Sequence, residues 1–318
     1  MIIKHITTGR NILKKNEKKM KNLILANGLH MTLMYFNIFK TLRERGYSDT
    51  INVSPDYEAL FKNRNDIDEY YLEKYHYLLD KIFSNVENVN LIKSNKMING
   101  VFANFTSLLS YDTIKIYNNN FIEFAKEYYS QNNIENKKKF IVLNTKIVNC
   151  SNLYWEYKSS GNSKVDEMDC ILNWNKFKIK LYEILNSYDI EVVLIGERSI
   201  PDCNEYNWHR DNSGNYVMYN DHISNLKNFR DETYIDSKDS YDFELFKKTC
   251  YYLDNSIMNI FIGNGGGVHL YSQFKNLYQF GEFDRLLEYL PSQNILTNPQ
   301  KTLNPNNFLE IIKNKLKQ

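Results

Sequence analysis

The sequence predicts an α/β protein made of two doubly wound domains, each a parallel sheet with helices on both faces. Short apolar runs typical of buried parallel strands alternate with longer amphipathic runs typical of helices. This alternation begins again after a polar run at residues 131–139, and 318 residues suit two domains of ordinary size. We therefore expect an N-terminal domain over residues 1–136 and a C-terminal domain over residues 137–318. A ligand is expected in the crevice between them.

The N-terminal domain opens with a strand, a turn that contains a glycine, and a helix. Residues 22–26 are an apolar run, and residues 31–45 are an amphipathic run that stops at Gly46. A second apolar run at residues 50–53 follows, so the opening is predicted to be a βαβ unit. The remaining elements predicted in this domain are a helical region over residues 56–90, a strand over 89–92 and a helix over 120–130.

The C-terminal domain repeats the alternation of apolar and amphipathic runs. Its predicted strands are residues 140–144, 190–195, 234–236, 259–262, 276–280 and 294–296. Its predicted helices are residues 174–187, 241–253 and 305–317. The connection over residues 145–173 is long and polar, and connections of this length are more often functional than ordinary ones.

The composition is that of a globular protein, with 42% hydrophobic and 25% charged residues. Because 40 basic side chains balance 38 acidic ones, nothing in the charge indicates binding to nucleic acid. The four cysteines are too far apart for a C-x-x-C metal site or a dense disulfide framework, which favours a reducing, cytoplasmic location. No run reaches the roughly 18 apolar residues that a membrane span needs, and residues 1–21 lack the features of a signal peptide. Any membrane contact is expected to be peripheral.

A glycine-rich loop follows the predicted strand at residues 259–262. The loop consists of Gly263, Asn264, Gly265, Gly266 and Gly267, and His269 comes shortly after it. Glycines let backbone N–H groups approach an anion, and the helix start that follows favours phosphate. The segment predicts a phosphorylated ligand such as a nucleotide; a strand cap with no ligand is the alternative. It matches neither the G-x-G-x-x-G nor the G-x-x-x-x-G-K-[ST] fingerprint.

Several polar side chains near predicted strand ends are candidates for the same site. His269 can donate a hydrogen bond to phosphate or ribose, or else bond a neighbouring carbonyl. Glu197 follows Gly196 at a predicted strand end, where its carboxylate can bind ribose hydroxyls, and Arg198 can pair with phosphate. Lys146, just past another strand, can offset diphosphate charge without a metal. For Glu197 and Lys146 a solvated surface group is the alternative interpretation.

His30 is the candidate general base. It lies in the first predicted βα loop, where an imidazole can deprotonate a hydroxyl group. A histidine packed at a helix start is the alternative interpretation. The nearest approach to a metal-binding carboxylate pair is the acidic run at residues 166–169, which is predicted to lie in a polar loop. The sequence therefore predicts chemistry without a metal ion.

The order of these segments resembles the C-terminal half of the heptosyltransferase-like glycosyltransferases. The resemblance covers roughly residues 138–290 and is carried by residues 192–197 and 261–269. The family motif is an acidic residue, Ser or Thr, Gly, two variable positions and His. Aligned on the histidine, Asn264 stands at the acidic position and Gly265 at the Ser or Thr position. Such enzymes have the GT-B fold, in which two Rossmann-like domains face a central crevice.

The resemblance implies that a sugar moves from a nucleotide-sugar donor to a glycan, glycolipid or other hydroxyl acceptor, with no metal or cofactor. The family lysine precedes a helix start that contains Trp, and Lys176 stands near that position. Leu29 occupies the place of the family aspartate, which leaves His30 as the base. The departures at Asn264 and Gly265 keep open a catalytically silent GT-B protein that binds glycan or nucleotide. A polysaccharide pyruvyl transferase-like enzyme is a third interpretation.

Overall fold

The computed structural model describes residues 20–26, 28–55, 69–93, 100–102, 115, 117–132, 134, 139–144, 167–197, 225–234, 241–262, 268–280 and 305–318. The chain divides into two compact units. The first unit comprises Met1–Asn120, Tyr241–Glu244 and Asp284–Pro291, and the second comprises Phe121–Ser240, Leu245–Phe283 and Ser292–Gln318. The polar run at residues 131–139 lies in the second unit. The domain boundary between residues 136 and 137 stays a prediction.

The first unit contains a parallel sheet of four strands. Its strands are β1 (Met20–Ala26), β2 (Ile51–Pro55), β3 (Val89–Leu91) and β4 (Gly100–Phe102), in the order β3-β2-β1-β4. Its helices are α1 (Gly28–Glu44) and α2 (Glu69–Phe83), and α3 (Asn119–Asn132) begins in this unit. The predicted βαβ opening is confirmed. Strand β4 was not predicted, because its three residues are too few to show a periodic pattern.

The second unit contains a parallel sheet of five strands in the order β7-β6-β5-β8-β9. These strands are β5 (Phe140–Asn144), β6 (Glu191–Glu197), β7 (Phe229–Tyr234), β8 (Met258–Ile262) and β9 (Leu277–Phe280). The helices are α4 (Glu167–Asn186), α5 (Phe243–Asn255), α6 (Val268–Tyr271) and α7 (Pro305–Leu316). The predicted α/β class with parallel sheets is confirmed.

Helices cover both faces of the five-stranded sheet, because its strands alternate between two apolar sides. One face packs on α4 and α7 in a single apolar cluster, to which the strands contribute Ile141, Leu143, Val192, Leu194, Met258, Ile260 and Tyr278. The opposite face includes Asn259, whose amide bonds the backbone of α5 at Leu253. Burial of one large apolar side chain stabilises by about 1.5–3 kcal/mol, so the two layers together hold the sheet.

Helices α3 and α5 pack against each other within the second unit. The Phe246 ring lies 6.3 Å from the Phe121 ring and 6.1 Å from the Phe124 ring, both in edge-on geometry. Beside these rings the ammonium of Lys247 donates to Glu127 at 2.8 Å and to Gln131 at 2.8 Å. An aromatic contact and a buried polar contact therefore join the two helices.

Two elements of the second unit begin earlier than predicted. Strand β7 begins at residue 229 and not at 234, because its first three residues are exposed and carry no apolar pattern; residues 235 and 236 of the predicted strand lie outside the described residues. Helix α4 begins at Glu167, several residues before the predicted start at Trp174, since acidic residues at 167 and 169 stabilise a helix N-terminus. The predicted strand at 294–296 lies outside the described residues.

Candidate functional site

The chain reverses its direction of travel across the second sheet between β5 and β8. From β5 it continues through β6 to β7 on one side, whereas β8 and β9 lie on the other. Open parallel sheets bind ligands at such a switch point, outside the carboxyl ends of the strands. Residues Leu143 and Ile260 are partners in the register of β5 with β8, so the ends of these strands are neighbours.

The glycine-rich loop leaves the sheet at this switch point. Strand β8 ends at Ile262 and α6 begins at Val268, so residues 263–267 join the two. His269 lies in α6, and the helix predicted after the loop is present. Lys146 follows the end of β5, the strand next to β8. The residues of the loop itself, Lys146 and Arg198 lie outside the described residues.

Gly196 and Glu197 end strand β6, which is next to β5 at the same edge of the sheet. The strand continues to Glu197 and does not stop at Gly196 as predicted, because Gly196 stays in the ladder opposite Thr233. The φ angle of Gly196 is +103°, a backbone conformation that strains residues with a Cβ. A glycine is therefore favoured at position 196, directly before Glu197 at the carboxyl end of β6.

Lys176 and the acidic run do not lie where the sequence predicts. Because α4 begins at Glu167, Lys176 lies in the middle of this helix and not at its opening. Residues 167–169 form the first turn of the same helix and are not part of a polar loop. Within the described ranges, no group of three or more histidine, cysteine or acidic residues is arranged to hold a metal ion. Whether Lys176 contacts a donor stays a prediction.

His30 lies at the corresponding edge of the first sheet. The order β3-β2-β1-β4 places the switch point of this sheet between β1 and β4. Helix α1 begins at Gly28, directly after β1, so His30 is in the first helical turn and not in a loop as predicted. Because α1 begins at Gly28, only residue 27 separates it from the end of β1. Thr32 anchors this end of α1, with 3.2 Å between its Oγ1 and the Tyr75 Oη on α2.

Sequence reasoning missed Tyr271, the last residue of α6. Its side chain is 4% exposed, and its ring packs edge-on against Phe261 of β8 with 4.9 Å between centroids. Burial raises the pKa of Tyr271 well above its usual value, and Tyr234 at the end of β7 raises it further. The phenol therefore stays protonated and can only be a neutral donor or acceptor. One tyrosine among 25 carries no signal in the sequence.

Comparison of the chain with protein-family models, with curated proteins and with solved structures finds no match.

Among the described residues, no helix is both long enough and apolar enough to cross a membrane.

Proposed function

We propose that the chain is a glycosyltransferase that moves a sugar from a nucleotide-sugar donor to a hydroxyl group of a glycan, a glycolipid or another acceptor. The observation that carries this proposal is the position of the glycine-rich loop. Residues 263–267 follow the end of β8, next to the end of β5. Parallel sheets bind ligands at such a point, and glycines let backbone N–H groups approach a diphosphate.

The donor side of the proposed site uses groups at the carboxyl edge of the second sheet. Backbone N–H groups of the loop hold the diphosphate, a lysine offsets its charge, and Glu197 binds the ribose hydroxyls. The residues proposed for donor binding are Lys146, Lys176, Gly196, Glu197, Arg198, Gly263, Asn264, Gly265, Gly266, Gly267 and His269.

In the proposed reaction His30 accepts the proton of the acceptor hydroxyl while the oxygen of that hydroxyl attacks the anomeric carbon. The bond between this carbon and the diphosphate oxygen breaks, and the nucleoside diphosphate leaves with the electron pair. The loop N–H groups and the lysine stabilise the leaving charge. The proposal includes no metal ion and no cofactor.

A protein that binds nucleotide or glycan without catalysis is the second candidate. Asn264 and Gly265 favour it, because they replace the acidic and hydroxyl side chains of the motif. Slow hydrolysis of a nucleotide sugar in the absence of acceptor would exclude this candidate. Titration with phosphoenolpyruvate against nucleotide sugars would separate both candidates from a pyruvyl transferase.

Thermal melting in the presence of nucleotides and nucleotide sugars tests the proposal. A ligand at about 100 times its dissociation constant adds about 2.7 kcal/mol of stability, so a donor should raise the melting temperature by several degrees. Nucleosides without phosphates should raise it less. If no nucleoside diphosphate or nucleotide sugar shifts the melting temperature at millimolar concentration, the proposed function is wrong.

Gly266→Val tests whether the loop is the site. A valine places a branched side chain where the backbone is proposed to approach the phosphates, so calorimetry should show nucleoside diphosphate affinity reduced by at least about tenfold. Asn90→Ala, at an exposed amide of the first unit, serves as the control and should bind normally. A folded Gly266→Val variant with the affinity of the parent would place the site elsewhere.

A further inference from the structure

Only one end of the side-chain amide of Asn37, in the middle of α1, is hydrogen-bonded. The side chain is 1% exposed, and its Oδ1 accepts from the backbone N–H of Tyr117 at 3.0 Å. Because only the oxygen can accept, this bond fixes the orientation of the amide and leaves Nδ2 as a donor. The Nδ2 group has no hydrogen-bond partner among the described residues. An unsatisfied buried donor costs about 1–3 kcal/mol, so folded proteins rarely keep one unless a ligand or a water molecule completes it.

A second donor of this kind lies in the first turn of α3. This helix begins at Asn119, two residues after Tyr117. Asn120 is 8% exposed, and its Nδ2 also has no partner within the described parts of the chain. Three residues span at most about 10 Å, so Asn120 stays within that distance of the backbone group that Asn37 binds. Two unused amide donors are therefore buried around the start of one helix.

The start of α3 favours a negative charge. The first N–H groups of a helix have no acceptor within it, and the helix dipole places partial positive charge at the same end. The first turn of α3 contains no acidic residue that would use this charge. An anionic ligand here would complete the buried amide donors and complement the dipole.

Lys40 adds a full positive charge beside Asn37. Residues three apart on a helix are neighbours, and the Lys40 ammonium lies 5.5 Å from the centroid of the Tyr117 ring. Lys40 forms no ion pair with any described residue, and the carboxylate of Glu44, one turn further along α1, bonds Lys115 at 2.6 Å. The Lys40 ammonium can therefore offset the charge of a ligand.

We propose that the start of α3 binds a small oxyanion, either inorganic phosphate or the phosphate or carboxylate group of an organic ligand. The amides of Asn37 and Asn120 donate hydrogen bonds to its oxygens, and Lys40 offsets its charge. Asn119 is exposed, so solvent reaches the start of the helix. All of these residues belong to the first unit, whereas residues 263–267 belong to the second, so the inference does not rest on the proposed function. A buried water molecule is the competing occupant, since it also completes a buried donor.

Three substitutions remove the proposed contacts one at a time. Asn37→Asp keeps one acceptor oxygen and replaces the free donor by a negative charge, Asn120→Leu removes the second donor, and Lys40→Gln removes the ammonium. Inorganic phosphate, phenyl phosphate and acetate are titrated into the parent and each variant by calorimetry at constant ionic strength. For the probe that binds the parent most tightly, each variant should bind about tenfold or more weakly, because hydrogen bonds to charged groups are strong. Lys126→Gln, at an exposed lysine of α3, is the control for loss of one positive charge and should bind normally.

The order of the three probes identifies the source of the oxyanion. Tighter binding of either phosphate than of acetate would assign a phosphate site, and the reverse order would assign a carboxylate site. A parent that binds none of the three at millimolar concentration would overturn the inference and leave water as the occupant. Parent affinity in folded Asn37→Asp or Asn120→Leu would also overturn it, because the anion would then bind elsewhere. If both buried substitutions prevent folding, unchanged affinity in Lys40→Gln, at a partly exposed side chain, would overturn it in the same way.

Discussion

Asn259 shows how one buried residue fixes the strand that carries the loop. Its side chain is fully buried, and its amide donates to the carbonyls of Leu253 at 2.9 Å and Lys275 at 3.1 Å. Its Oδ1 accepts from the Ser256 hydroxyl at 2.5 Å. These bonds tie the start of β8 to the end of α5 and to the turn before β9. Together with the backbone ladders to β5 and β9, these side-chain bonds hold β8 in its register.

The substitution His30→Ala tests the proposed role of a single residue, the general base. If His30 is the general base, the substitution should lower turnover by about 10² to 10⁴ while donor affinity changes little, because a base acts on the acceptor proton. The pH profile should also lose the ascending limb that deprotonation of an imidazole base produces. His76→Gln, a histidine of α2 in the same unit, is the control for loss of an imidazole. Turnover of His30→Ala within about threefold of the parent would show that His30 is a packing residue.

At the scale of elements, the sequence predicts the buried parts well and the exposed parts poorly. Strand β5 is found at its predicted bounds, residues 140–144, because all five of its residues are buried and the first four form a continuous apolar run. The start of β7 at residue 229 is missed because an exposed edge strand needs no apolar pattern. Among the site residues, the sequence finds the glycine-rich loop by its composition. It gives no sign of the buried contact between Tyr271 and Phe261, because that contact depends on how α6 packs against β8.

The contact between α3 and α5 gives a prediction at this scale. The Lys247 side chain is 1% exposed, whereas its partner Glu127 is 46% exposed. Glu127→Ala leaves a buried ammonium without its carboxylate and should cost about 2 kcal/mol, less than the loss of a fully buried partner because Gln131 still accepts. Lys247→Met leaves only a half-exposed carboxylate and fills the buried space, so it should cost less.

Urea denaturation of the two variants checks this asymmetry. The midpoint of Glu127→Ala should lie clearly below that of Lys247→Met at the same protein concentration. Glu123→Ala is the control, because its ion pair with Lys126 on the same helix is exposed at both partners and contributes little. If Lys247→Met is the less stable variant, the predicted order is wrong, and Lys247 stabilises the fold by more than its ion pair with Glu127.

At the scale of the molecule, both units use the same arrangement of strands. Each sheet is parallel, and in each the first strand of the unit lies between the second and the fourth, so each has its switch point beside its first strand. His30 follows the first strand of one sheet, and Lys146 follows the first strand of the other. The repeated topology explains why the candidate residues occur at matching places in the two halves of the sequence.

Chelation tests the proposed chemistry of the whole protein. In the proposed reaction, backbone N–H groups and a lysine offset the charge of the leaving diphosphate. Sugar transfer should therefore continue unchanged in excess EDTA. The assay uses the full chain with the nucleotide sugar that gives the largest melting shift. Complete loss of transfer in EDTA, restored by manganese, would show that a metal ion takes part.

Hydrogen exchange with and without a saturating nucleoside diphosphate tests the central claim most directly, because it reports where on the chain the ligand acts. We expect slower exchange in peptides that cover the loop and α6, residues 263–271, and in those that cover the end of β6, residues 194–197. Peptides from α2, residues 69–83, should exchange at the same rate in both states. Slower exchange confined to other parts of the chain, with residues 263–271 unchanged at saturation, would contradict the assignment of the glycine-rich loop as the nucleotide site.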